Sequence, residues 1–158
     1  MPTTDAQALA EQLLLGRYRV LETRGEGGFG TVYVCWDPRL MRRVAIKSIR
    51  LKPQAPQGSL VEGVPDYLSD ARRSALLRAA LDETRTASML PHPNIVQMIE
   101  FDNDDEHAYI IMEYVEGASL AELLDATEDG LLTADEVPAV VEGVCDALEF
   151  AHDNGVLH

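Results

Sequence analysis

Eight residues from Gly25 to Val32, with the sequence GEGGFGTV, constrain the fold of this chain more than any other segment. Glycine has no Cβ, so the backbone at Gly25, Gly27 and Gly30 can adopt positive φ and approach another group closely. Successive backbone N–H groups in such a loop form a cradle for phosphate. The sequence VAIK follows and ends at Lys47, which would supply a cation. Together the two segments predict a site for a nucleotide polyphosphate.

The residues after the glycines separate three nucleotide-binding motifs that share similar glycine spacings. A dinucleotide-binding fingerprint opens a helix, because the pyrophosphate lies at the N-terminus of that helix. Residues 31–36 are instead TVYVCW, and such β-branched and aromatic residues are typical of a strand. A Walker A loop requires Lys and then Ser or Thr directly after its second glycine, whereas Thr31 and Val32 stand there. The segment is therefore predicted to be a glycine hairpin between two strands, with a third strand delivering Lys47.

This arrangement resembles the start of a protein kinase domain, whose signature motifs include GxGxxGxV and VAIK. HPNIV at residues 92–96 and EYVEG at residues 113–117 extend the resemblance, which runs from about Tyr18 to His158. The motifs resemble those of bacterial serine/threonine protein kinases of the eukaryotic type. The resemblance implies an α+β fold, with a kinase-like N-lobe made of an antiparallel sheet plus helix αC, followed by the first helices of the C-lobe.

Four segments are expected along the chain. Residues 1–16 are a lead-in that is helical or frayed, and residues 17–112 are the N-lobe. Residues 113–117 are the hinge between lobes, and residues 118–158 are a partial C-lobe. Residues 53–66 have the proline and glycine content of a loop and are predicted to be an insertion within the N-lobe.

A helix is predicted over residues 69–90, and its inward stripe contains a carboxylate. The stripe consists of Leu76, Ala80, Glu83, Ala87 and Leu90. A carboxylate on a buried face is costly unless a cation pairs with it, and Lys47 lies on the strand expected to face this helix. Glu83 is therefore predicted to pair with Lys47. The alternative is a Glu83 that is simply exposed on a mobile helix.

Two further helices are predicted after the hinge, each with a capping box at its start. Ser119 with Glu122 opens a short helix, and Thr133 with Glu136 opens a longer one. The longer helix is expected to carry an apolar stripe that consists of Val137, Val141, Val144, Leu148 and Ala151. In a whole kinase domain this stripe would pack on later helices, so it is expected to be uncovered in this chain.

The kinase resemblance also implies roles for individual residues. Lys47 would contact the α and β phosphates of ATP, and Glu83 would hold Lys47. Met112 would occupy the gatekeeper position, and backbone groups near Glu113 and Val115 would bind the adenine edge. Val32 and Ala45 would enclose the adenine ring. The loop that would cover the phosphates consists of Gly25, Glu26, Gly27, Gly28, Phe29 and Gly30.

His158 matches the first residue of the catalytic-loop motif HRDLxxxN, and the sequence contains no HRD, DFG or APE. The full domain is expected to use Mg²⁺, whereas no metal ligand is predicted in this chain. Losing a general base removes about 10² to 10⁴ in rate, so the chain alone is expected not to phosphorylate a protein substrate. Whether it binds ATP by itself is left open by the sequence, and any affinity is expected to be weak. The alternatives are a pseudokinase-like module that binds a nucleotide or a partner, and a non-functional gene fragment.

Charge and composition exclude other classes of function. The net charge is −14, and all 13 Lys and Arg lie at or before Arg85. A nucleic-acid partner is not expected, because the phosphate backbone requires basic surface. No apolar run approaches the roughly 18 residues of a membrane-spanning helix, so the expected location is cytoplasmic without a membrane segment. Cys35 and Cys145 are predicted to be buried small residues, which fits a reducing compartment.

Overall fold

A computed structural model describes residues 13–27, 30–51 and 66–157. These residues form two compact units, one containing all the strands and the first helix, and the other containing residues 89–97 and the chain from Val115 onward. The elements of the described residues are β1 (Leu13–Leu14), β2 (Tyr18–Gly27), β3 (Gly30–Asp37), β4 (Arg42–Arg50), α1 (Asp66–Ser88), β5 (Met98–Asn103), β6 (His107–Glu113), α2 (Leu120–Asp125) and α3 (Glu136–Asp153).

The strands form one antiparallel sheet in the order β1-β2-β3-β4-β6-β5. The predicted antiparallel sheet is confirmed, and the crossover between β4 and β6 is made by the segment that contains α1 and β5. The predicted insertion at 53–66 lies outside the described residues except for Asp66, which begins α1. The helix therefore begins three residues earlier than the sequence predicted and ends two residues earlier.

Residues 13–16 are neither helical nor frayed, which corrects the prediction for this part of the lead-in. Leu14 pairs with Tyr18 in an antiparallel bridge, and a tight turn with Leu15 and Gly16 at positive φ connects β1 to β2. The reason is tertiary packing, because Leu14 is buried in the core beneath the sheet. Burial of an apolar side chain outweighs the modest helix propensity of a leucine run.

The two faces of the sheet bury different clusters. On one face the buried residues are Leu14, Tyr18, Val20, Cys35, Val44, Ile46, Tyr109 and Ile111. On the other face α1 packs through Ala80 against Ala108 and Leu51. Side chains alternate between faces along a strand, so the face that receives α1 is also the face that carries Lys47.

The second unit contains α2 and α3. Ser119 caps α2 in the reciprocal arrangement predicted, since its side chain accepts from the Glu122 N–H and Glu122 accepts from the Ser119 N–H. Thr133 and Glu136 make the same pair of bonds, although α3 itself begins only at Glu136.

The first half of the α3 stripe is exposed, as predicted, whereas its last residue is buried. Val141 is 52% exposed and Val144 is 53% exposed, whereas Ala151 is buried. An apolar helix face is buried only where another element covers it, and the described residues cover this half only in part. Cys145 on the same helix is exposed, which corrects the prediction that both cysteines are buried.

Among the described residues, no helix is both long enough and apolar enough to cross a membrane.

A buried carboxylate ties the turn after β1 to the end of β3. Asp37 is 1% exposed and accepts two hydrogen bonds from the Arg17 guanidinium, at 3.2 Å from Nε and 2.6 Å from Nη2. It also accepts from the backbone N–H groups of Arg39 and Leu40. Burial raises the pKa of Asp37, but the combined lowering by these hydrogen bonds is larger. The pKa of Asp37 is therefore below its usual value.

Replacing Asp37 is expected to change how stability depends on pH. A carboxyl with a lowered folded-state pKa stabilises the fold above its unfolded pKa, about 3.9, and loses that contribution as the pH falls through the folded pKa. Asp37→Asn removes the charge from the carboxylate that two Arg17 nitrogens contact, while Glu100 still accepts from Arg17 Nη1 at 3.1 Å. We therefore expect the free energy of unfolding near pH 7 to fall by about 2 kcal/mol and to depend less steeply on pH in acid. Urea unfolding at several pH values between about 7 and 2 measures both effects.

Asp82→Asn is the matched control, because Asp82 is an exposed residue in a 3.9 Å surface pair with Arg85. Such a pair contributes less than about 1 kcal/mol. The role of Asp37 would be contradicted if the free energy of unfolding fell as steeply with decreasing pH in Asp37→Asn as in the native chain.

Candidate functional site

Lys47 and Glu83 form an ion pair in the first unit. Lys47 lies on β4, Glu83 lies on α1, and Lys47 Nζ donates to Glu83 Oε1 at 2.9 Å. The contact expected from the helix stripe is therefore present. The side chains are 25% and 51% exposed, respectively. An ion pair this exposed contributes at most about 1 kcal/mol to stability, so its significance is geometric.

The half-exposed position of Glu83 corrects the prediction that it lies on the buried face of the helix. Thr84 occupies the inward position instead, and its hydroxyl donates to the Ala80 carbonyl at 2.8 Å. Residues four apart on a helix lie on one face, so Ala80 and Thr84 face the sheet while Glu83 lies at the margin of that face. There its carboxylate keeps contact with water and with Lys47.

Four of the predicted residues lie on one face of the sheet. Val32 lies directly opposite Lys47 on the neighbouring strand, and Ala45 lies directly opposite Met112. Directly opposite residues of an antiparallel pair share a face, and so do residues two apart on a strand. All four are partly exposed, so this part of the face presents three apolar side chains beside the Lys47 ammonium and is open to a ligand.

The glycine hairpin is built from β2 and β3, which pair as far as Gly27 and Gly30. Gly30 has φ 113°, and a Cβ there would collide with the Ser48 carbonyl oxygen. Gly25 does not have positive φ, contrary to the prediction, and a Cβ there would meet no atom within 4 Å. The fold therefore requires glycine at position 30, whereas the space above Gly25 is open. Residues 28–29, which include two predicted contacts, lie outside the described residues, as does the side chain of Glu26.

The two predicted hinge residues belong to different units. Glu113 is the last residue of β6, opposite Val44, and Val115 is an exposed residue of the second unit. Between them, Tyr114 packs its ring beneath the guanidinium of Arg43, which lies 4.8 Å from the ring centroid. The sequence did not predict this cation–π contact, because no local pattern connects residues 71 positions apart.

HPNIV lies in the second unit and packs on α3. The His92 ring stacks on Phe150 with centroids 5.1 Å apart, and His92 Nδ1 accepts from the Asn94 N–H at 3.2 Å. A shallow cavity of about 300 Å³ adjoins this stack and is lined by Asp146, Glu149 and Asp153 as well. Among the described residues, no group of three or more His, Cys, Asp or Glu could hold a metal ion.

Comparison with known proteins identifies the family. The sequence matches the model of the protein kinase domain over residues 18–158. The chain belongs to the protein kinase family. It is 36% identical to the serine/threonine-protein kinase PrkC of Bacillus subtilis over 143 residues, which is 90% of this chain and 19% of that protein. It is 31% identical to the serine/threonine-protein kinase PksC of Streptomyces coelicolor, covering 90% of this chain and 24% of that protein.

Solved structures agree with the sequence relatives. The crystal structure of the kinase domain of Mycobacterium tuberculosis PknI superposes with a TM-score of 0.62 at 27% identity, over 89% of this chain and 49% of that chain. The kinase-like α+β fold and the resemblance to bacterial serine/threonine kinases are thus confirmed. The chain spans about half of that kinase domain and less than a quarter of the two curated relatives.

The two glycines are expected to respond differently to the same substitution. Gly30→Ala introduces both a positive φ for alanine and a clash with backbone, so it should destabilise the fold by at least about 2 kcal/mol. Gly25→Ala has ordinary φ and open space, so stability should change by less than about 1 kcal/mol. Urea denaturation of the two variants measures the difference, and equal destabilisation would contradict the distinct roles of the two positions.

Proposed function

We propose that the chain is the ATP-binding part of a serine/threonine protein kinase, which transfers a phosphoryl group from ATP to a protein. The observation that carries the proposal is the ion pair between Lys47 and Glu83 on an open, partly apolar sheet face. Phosphoryl transfer depends on positioning and charge neutralisation, and kinases use a strand lysine that is held by a helix glutamate for this purpose. Glu83 fixes the Lys47 ammonium where the α and β phosphates would lie.

The remaining residues of the first unit would enclose the nucleotide. Backbone N–H groups between Gly25 and Gly30 would cover the phosphates, and the open space above Gly25 leaves room for them. Val32 and Ala45 would pack on the adenine ring, and Met112 would lie at the back of the adenine pocket as the gatekeeper.

The segment 113–117 would form the hinge, where backbone groups of Glu113 and Val115 would bind the adenine edge. Support for this role comes from the division between the two compact units, which falls between Tyr114 and Val115. Mg²⁺ would accompany ATP in the full domain and neutralise phosphate charge. We assign no residue of this chain to it.

We infer that the 158-residue chain by itself binds ATP without completing transfer. The residues of a kinase that accept the substrate proton and hold the metal belong to the HRD and DFG motifs, and the sequence contains neither. Basic side chains are confined to the chain up to Arg85, so we propose no nucleic-acid partner, and the protein substrate is left open.

Lys47→Met is expected to weaken binding of ATP. The substitution removes a charge-assisted hydrogen bond to phosphate, which contributes about 1.5 to 3 kcal/mol, so affinity should fall by about tenfold to a hundredfold. Titration with a fluorescent ATP analogue measures the affinity. Arg50→Met is the matched control, because Arg50 is an exposed cation on the same strand whose position alternates to the other face. Equal affinities of the two variants would contradict the proposed role of Lys47.

Incubation of the purified chain with γ-labelled ATP, Mg²⁺ and a basic protein is expected to give no labelled protein. The expectation follows from the missing general base, whose loss removes about 10² to 10⁴ in rate. Stoichiometric labelling that Lys47→Met abolishes would contradict it. Binding of the fluorescent analogue under the same conditions distinguishes an inactive nucleotide-binding chain from one that binds no nucleotide.

A further inference from the structure

The position of Glu83 depends on how α1 is attached to the sheet, and its own ion pair is too weak to provide that attachment. A pair with one partner half-exposed contributes at most about 1 kcal/mol. The apolar contact buries Ala80 of α1 against Ala108 and Leu51. The partly buried residues packed around it are Leu76 and Leu77 of α1 and Ile49 and Phe101 of the sheet. A helix of 23 residues therefore rests on a short apolar contact near its middle.

Arg73 supplies a second polar attachment, near the beginning of α1. Its Nη2 donates to the backbone carbonyl of Asp104 at 3.3 Å and lies 3.6 Å from Oδ1 of Asp105. The Arg73 side chain is 32% exposed, and its Nε is buried without a partner among the described residues. Arg73 precedes Glu83 by ten residues, a distance of about 15 Å along the helix, and both lie on the side of α1 that meets the sheet.

The Asp104 carbonyl that accepts from Arg73 lies in the turn between β5 and β6, and hydrogen bonds to the Asp104 side chain stabilise this turn. Asp104 Oδ1 accepts from the N–H groups of Glu106 and His107 at 2.8 Å and 2.7 Å, and Oδ2 accepts from the Tyr109 hydroxyl at 2.8 Å. Burial raises the pKa of Asp104, but the combined lowering by these hydrogen bonds is larger. The pKa of Asp104 is therefore below its usual value. The Asp104 carboxylate therefore stays ionised and keeps the turn closed at neutral pH.

The same turn is continuous with the strand that flanks Lys47. Tyr109, which anchors Asp104, is buried on β6 opposite Ser48, and the next residue, Ile110, lies opposite Lys47. Arg73 therefore holds α1 to the strand pair that positions the Lys47 ammonium. Arg73 near the beginning of α1 and Ala80 near its middle are thus two contacts that set the location of Glu83.

We propose that Arg73 is a positioning residue, which holds α1 in the register that brings Glu83 to Lys47. The proposal rests on the proposed nucleotide site for its functional consequence, though the register itself is measurable without a nucleotide. Loss of the contact lets the beginning of α1 move away from the β5–β6 turn. Glu83 then leaves Lys47, and the phosphates lose a fixed cation.

The ligand-free test follows the Lys47 ammonium by NMR in a chain labelled with ¹⁵N-lysine. Lys47 and Lys52 are the two lysines of the sequence, so the spectrum is simple, and Glu83→Gln identifies the signal that responds to loss of the pair. Arg73→Met removes the guanidinium but keeps an apolar stem, and it should move the Lys47 signal toward its position in Glu83→Gln. Arg72→Met, at the exposed neighbouring position, should leave the signal in place.

Arg73→Lys is the second variant, which tests the proposal if Arg73→Met fails to fold. An ammonium keeps the charge but not the planar set of donors, so a smaller shift in the same direction is expected. A Lys47 signal at the native position in both Arg73 variants would overturn the proposal.

The nucleotide test measures affinity for a fluorescent ATP analogue in two backgrounds. Arg73→Met should weaken binding by about threefold to tenfold in the native background and by no measurable factor when Glu83→Gln is already present. An equal loss in both backgrounds would show a general structural effect and overturn the positioning role. If the native chain binds no analogue, the proposed function fails, and the lysine spectrum still decides the role of Arg73.

Discussion

Backbone pairing among β3, β4 and β6 is the constraint on which the rest of the first unit depends. Each hydrogen-bonded register places Lys47 between Val32 on one side and Ile110 on the other. A slip of one residue would turn every side chain of β4 to the opposite face and move Lys47 away from α1. Burial of Val44 and Ile46 on the far face prevents such a slip, because the slip would expose them. The site face is thus specified by the packing of the face beneath it.

The contacts between α1 and the sheet are weaker than those within the sheet. The apolar contact is small, the ion pair to Lys47 is half-exposed, and Arg73 reaches a carbonyl rather than a buried carboxylate. The pair of Arg17 and Asp37, by contrast, joins the turn after β1 to the end of β3, and its buried carboxylate accepts four hydrogen bonds. Regions with few buried apolar contacts open at lower free energy, so α1 is the element whose position is most easily altered. Since Glu83 pairs with Lys47, small movements of this helix bear directly on the proposed nucleotide site.

Local patterns predicted the elements well where the chemistry is local. The glycine hairpin followed by a strand was predicted because β-branched residues come directly after Gly30, and the α2 cap because Ser119 and Glu122 are three residues apart. Predictions that depended on a distant partner were less accurate. A periodicity of three and four residues does not distinguish Glu83 from Thr84 as the inward residue, since the two differ by one position on the helix. The exposure of the α3 valines was predicted, because an amphipathic pattern alone does not supply the surface that would cover the stripe.

By itself, the sequence determined the family, the order of the elements and most members of the candidate site, because glycine spacing, strand composition and the VAIK lysine are properties of short segments. The tertiary structure decided which glycine is required by the fold, how exposed Glu83 is, and that Arg73 joins α1 to the β5–β6 turn. Each of these depends on contacts between residues that lie far apart in the chain, such as Gly30 with Ser48 and Arg73 with Asp104. Those contacts exist only once the strands have paired and the helix has packed, so no pattern along the sequence contains them.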